Sequence, residues 1–171
     1  MKRLLSVILI VLSICFVGCG EEPDVEDLIK SEIAKNIVET SEEPQTEKQE
    51  LKKIKRFLTL DIWNDGFCNI SHYIHDGKDS TGKTMDLDFT IEQLDKAMET
   101  KKEYDEYIKG LEDSKFSDVK SDWEKLSEQI DILYGKLKDK KPTVGDYTYD
   151  FDTGLYSQYS DAFEKDIDKV E

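Results

Sequence analysis

Apolar residues recur along most of this chain at spacings of three and four, the signature of helices that bury one face. The cleanest run is Phe116, Val119, Trp123, Leu126, Ile130, Leu133 and Leu137, which keeps the rhythm without a miss. Ser114 or Ser117 can cap its start and Pro142 lies beyond its end, so a long helix is predicted there. Upstream, Leu87, Ile91, Leu94 and Met98 predict a helix beginning near Asp86 to Thr90, continued after Lys101-Lys102 by Tyr104, Ile108 and Leu111 along a drifting stripe. A last helix, from about Gly145 or Asp152 to Val170, places Leu155, Tyr156, Tyr159, Phe163, Ile167 and Val170 on one face.

The segment from Pro44 is less regular. Leu51, Ile54, Leu58 and Ile62 predict a helix to about Trp63. At about 100° per residue, the next apolar set (Trp63, Phe67, Ile70, Ile74) is turned by more than about 90° from the first, so one straight α-helix cannot bury both. Asn64-Asp65-Gly66 is a turn-type tripeptide at the change of face, which predicts a break or kink there and a short helix over about 67–75. Asp76 to Lys83 reads as a polar loop. Val25, Ile29, Ile33 and Ile37, following Pro23, suggest another short amphipathic helix inside a strongly acidic stretch. No segment sustains period-two alternation and there is no internal repeat. The expected fold is all-α: an up-and-down helix bundle of three long helices plus one or two short N-terminal helices, with residues 44–171 as the bundle domain.

Composition narrows the partners. The 171 residues carry 24 Lys+Arg against 39 Asp+Glu, a net charge of −15, which lacks the electropositive footprint that a nucleic acid requires. With 37% hydrophobic residues the chain can still build a real core.

The N-terminus changes the picture more. Lys2 and Arg3 precede an apolar run from Leu4 to Val17, interrupted only by Ser6 and Ser13. At about 1.5 Å per residue this run reaches roughly 21 Å, short of a hydrocarbon core of roughly 30 Å. A cleaved signal fits better than a spanning helix. The run ends in Phe16-Val17-Gly18-Cys19, which resembles the lipobox of bacterial lipoprotein precursors, with Phe16 where Leu is usual. A plain secretory signal with a chance cysteine is the alternative.

The resemblance implies that residues 1–18 are a signal peptide cut before Cys19, and that the Cys19 thiol becomes a thioether to diacylglycerol. The chain would then be anchored by lipid to a bacterial membrane, facing outside the cytoplasm, with residues 19–43 as an acidic tether. Each buried acyl CH₂ contributes about 0.8 kcal/mol, so two or three chains suffice. No aspartate follows Cys19 to suggest retention at an inner membrane. Without Lys2 and Arg3, 22 basic residues face 39 acidic ones, net −17. Cys15 leaves with the signal and Cys19 is acylated, so Cys68 has no intrachain partner and packing must supply the stability.

Four patterns suggest chemistry. Gly77 to Thr84 satisfies the P-loop string G-x-x-x-x-G-K-[ST], but no neighbouring strand is readable, and a solvated Gly/Ser/Lys loop explains the same letters. The acids around it (Asp76, Asp79, Asp86, Asp88) fail the EF-hand pattern in either register, leaving only an irregular calcium loop to consider. Cys68, His72 and His75, the two histidines of the chain and its one unlipidated cysteine, sit at helical steps of four and three. A thiolate and two imidazoles suit zinc or copper, and Asp76 or Asp79 could add a fourth ligand. The axial rise of about 10 Å from Cys68 to His75 opposes a single ion, and a solvated helix flank accounts for the same residues. Tyr147, Tyr149, Tyr156 and Tyr159 could form a stacking patch, although core packing explains them as well.

Nothing here assembles into an active site. The expectation is therefore a lipid-anchored, extracytoplasmic, non-catalytic helical protein that binds a ligand or another envelope protein. The alternative is a metal-binding lipoprotein using Cys68, His72 and His75.

Overall fold

The first helix starts where Thr46 and Gln49 cap each other. In the computed structural model, which describes residues 46–170, the Thr46 hydroxyl accepts the Gln49 N–H and the Gln49 side-chain carbonyl accepts the Thr46 N–H at 3.0 Å. Helix α1 runs Glu47–Phe57. The signal segment, Cys19 and the acidic stretch with its amphipathic repeat lie outside the described residues.

The expected break at Asn64-Asp65-Gly66 does not occur. The chain stays helical as a π-helix over Leu58–Cys68 and then resumes as α2, Asn69–Asp76. The short helix predicted over 67–75 is thus the end of one continuous element. The prediction failed because it assumed α-helical rotation throughout. Ile54, Leu58, Ile62, Gly66, Ile70 and Ile74 are all buried, and they follow one another at steps of four. In an α-helix a four-residue step overshoots a full turn by about 40°. A π-helix closes its rings at i→i+5 and holds more than four residues per turn, so the same step falls short of a full turn. The two drifts oppose each other, and the strict four-residue row stays on one side.

Gly66 is also reassigned. It is no turn glycine: a Cβ there would lie 2.5 Å from Leu94 Cδ2 and 3.2 Å from the Asp61 carbonyl oxygen. Its bare backbone lets the next long helix approach the π-helical segment.

That helix, α3, spans Leu87–Lys109 and begins where predicted, with the Asp86 carboxylate accepting the Phe89 N–H at 3.1 Å. Helix α4 follows over Asp113–Asp139 and buries all seven residues of its predicted stripe. Neither Ser114 nor Ser117 caps its backbone. Glu112 occupies the N-cap without a side-chain bond, the Ser114 hydroxyl donates to the Glu112 carboxylate, and Phe116 kinks the first turn at φ −120°, ψ 18°. The connection to the last helix is pinned twice. Gly145 N–H donates to the Ile74 carbonyl at 2.8 Å, and the Tyr149 hydroxyl reaches the Lys136 and Lys140 carbonyl oxygens at the end of α4.

Helix α5, Gly154–Lys169, packs along α4 and reaches α1. Tyr156, Phe163 and Ile167 are buried as expected, but Leu155 is 48% exposed. Tyr156 ties α5 to the π-helical segment: its hydroxyl donates to the Leu58 carbonyl at 2.9 Å, its ring stacks on Trp63 and meets Phe67 edge-on. Burial pushes the Tyr156 phenol well above its ordinary pKa.

The fold is all-α. Among the described residues the one β feature is an isolated bridge between Lys78 and Thr84.

Candidate functional site

The continuous element that carries the buried four-residue row carries a second one on another face. Lys53, Phe57, Asp61, Asp65 and Asn69 are also spaced by four, and they form one wall of a groove of about 810 Å³. The other wall is α3, from Asp86 and Phe89 through Gln93 to Thr100 and Tyr104, with Asp79 and Met85 of the loop at one end. This volume suits a small ligand or a short peptide.

The two ends of the groove differ in charge. Lys53 and Arg56 stand at the α1 end, while Asp61, Asp65, Asp79 and Asp86 line the π-helical and loop end. Asp79 and Asp86 are engaged with backbone amides. Arg56, Asp61 and Asp65 are exposed and have no ionic partner among the described residues. Phe57 packs edge-on against Tyr104 with ring centroids 5.1 Å apart, and Phe89 is 59% exposed at the rim. Burial, and then the negative field of Glu50 and Asp61, raises the Tyr104 phenol pKa.

A second, larger cleft of about 1060 Å³ opens between α3 and α4. Its floor is a polar clasp around a buried lysine. Lys101, 2% exposed, pairs with Asp105 and Asp131, each at 3.0 Å. The other oxygen of Asp105 accepts the Trp123 indole N–H and the Ser127 hydroxyl, both at 2.9 Å. A further clasp joins the same helices where Asp95 accepts the Tyr134 hydroxyl at 2.6 Å and pairs with Lys138. The Tyr134 hydroxyl, and then Lys138, hold the Asp95 carboxyl below its ordinary pKa.

The residues expected to bind metal are not gathered. Cys68 is a partly buried free thiol, His72 is exposed, and His75 is exposed with its ring edge-on to Tyr147 at 5.9 Å. No three His, Cys, Asp or Glu side chains converge among the described residues. Asp76 pairs with Lys78, and Asp79 turns into its own loop. That loop also answers the P-loop string. The Thr81 and Lys83 N–H groups, which would have to face a phosphate, donate to the Asp79 carboxylate at 2.9 and 3.0 Å, and the Ser80 N–H donates to Asn69. Of the four tyrosines, Tyr156 is core, Tyr149 closes the end of α4, Tyr159 is half-buried and Tyr147 is 74% exposed.

Neither Asp61, Asp65 nor Arg56 stands out in the sequence, because the row they flank stays on one side only where a π-helical stretch offsets the drift of the α-helical turns. Lys101 carried a readable signal: three residues after Met98 and seven before Ile108, it stands on the apolar stripe of α3. No family model, curated protein or solved structure matches this chain, so its own residues carry the functional reading.

Proposed function

We propose that this protein is a lipid-anchored, extracytoplasmic binding protein of a bacterial cell envelope, acting without catalysis through the groove between the π-helical segment and α3. The observation that carries the reading is that groove: a concave surface of ligand size, one wall of which presents charged side chains (Arg56, Asp61 and Asp65) without ionic partners among the described residues. The Phe16-Val17-Gly18-Cys19 sequence supplies the anchor, a thioether on Cys19 holding the domain at the membrane surface. No described helix is long and apolar enough to cross a membrane, so attachment in this reading rests on the acyl chains.

The anchor is tested in a bacterial host fed labelled palmitate. The full chain should take up label and sediment with membranes, and Cys19→Ser should lose both. A Cys19→Ser chain that still carries label would end the reading. For the binding role, a photo-reactive side chain at Phe89 should cross-link to an envelope component in intact cells.

A further inference from the structure

We infer that the groove takes a short peptide with free ends, its ammonium group between Asp61 and Asp65 and its carboxylate at Arg56; this rests on the binding reading above. Asp61 and Asp65 are one four-residue step apart on the wide-turn segment and so face the same way, two like charges without a cation among the described residues. Like charges at this spacing repel, and a ligand cation between them relieves that cost. Arg56 offers the opposite charge on the same wall, and a guanidinium matches a carboxylate with two parallel hydrogen bonds.

Separation selects the ligand's length. Arg56 and Asp65 are nine residues apart, at most about 13 Å along a helix axis. Roughly four extended residues span that upper limit, so the site takes peptides up to about that length. The opposite wall faces the acidic end with Gln93, beside the Leu94 that meets Gly66. The Gln93 side chain has both an N–H donor and a carbonyl acceptor to pair with a peptide unit, while Lys96, nearer the middle, is paired with Glu92. Phe57 supplies apolar surface beside the carboxyl end, while Phe89 lies beyond the amino end, toward the loop. Charge complementarity thus also fixes the direction of the peptide, amino end toward the loop and carboxyl end toward the start of α1.

The test is calorimetric titration of the purified full-length chain in detergent with tetraalanine, N-acetyl-tetraalanine, tetraalanine amide and spermidine. Free tetraalanine should bind saturably at one per chain, and blocking either end should weaken it at least tenfold. In Asp61→Asn/Asp65→Asn the free and acetylated peptides should bind alike. In Arg56→Gln the free and amidated peptides should bind alike. These positions are exposed, so circular dichroism should show both variants folded. Equal affinity for all three peptides, or no binding of tetraalanine, overturns the inference. Binding of spermidine alone overturns it too, while leaving the groove as a binding site; loss of palmitate labelling would strike only the anchor.

Discussion

At Gly66 two effects of opposite sign meet. Replacing a helical glycine by alanine ordinarily gains roughly 0.5–1 kcal/mol by restricting the unfolded chain. Here the new methyl would press on Leu94, itself 1% exposed and unable to swing into solvent. Overpacking of this kind costs about 1–3 kcal/mol. Gly66→Ala should therefore lower stability by about 1–2 kcal/mol in denaturant unfolding. Combined with Leu94→Ala it should cost less than the two single changes added together, since the clash is then gone. Lys101 and Asp105 give a second asymmetry. Asp131 is more than half exposed, so Lys101→Met lets it return to water and removes a buried ammonium, and should change stability by no more than about 1 kcal/mol. Asp105→Ala strips the buried Lys101 of one partner and orphans the Trp123 N–H and the Ser127 hydroxyl, and should cost about 3 kcal/mol. Thermal and denaturant midpoints of both variants decide the matter.

Among the elements, the stripe of α4 was legible because it obeys ordinary α-helical rotation from Val119 onward, and every residue assigned to it is buried. Its start, capped by neither Ser114 nor Ser117, was not. The start of α3 was legible from its apolar spacing, and the structure adds that Asp86 caps it there. The stretch from Glu47 to Asp76 was misread for one reason. Its apolar residues were judged against a single rotation per residue, and Asn64-Asp65-Gly66 then looked like the explanation for a change of face that the backbone absorbs by widening its turns. The groove inherited that error, since its acidic row stands on the same segment. The α3–α4 pairing was illegible in another way: its clasps join residues 39 and 30 positions apart, and no periodicity announces them. The Asp95 clasp has a pH signature. Its carboxyl pKa is lowered in the folded state, so its contribution is complete above the ordinary carboxylate pKa of about 3.9 and is lost as pH falls through the lowered value. The Tm difference between wild type and Asp95→Asn should be constant from about pH 5 to 7 and shrink on acidification below about pH 4.

For the molecule as a whole, the excess of 39 acidic over 24 basic residues keeps the surface solvated and disfavours close approach to anionic lipid. In the proposed setting, an acidic domain on a tether stands off from its own membrane and leaves the groove open to whatever diffuses past. The whole depends on contacts between distant parts of the chain. Leu58 leaves the ribosome long before Tyr156, whose hydroxyl donates to its carbonyl across 98 positions. Until that tyrosine has been made, Trp63 and Phe67 lack a ring against which they pack. A surface written in the early codons is therefore finished by late ones, and a nascent chain halted short of α5 would carry every groove side chain without the partner that steadies their wall.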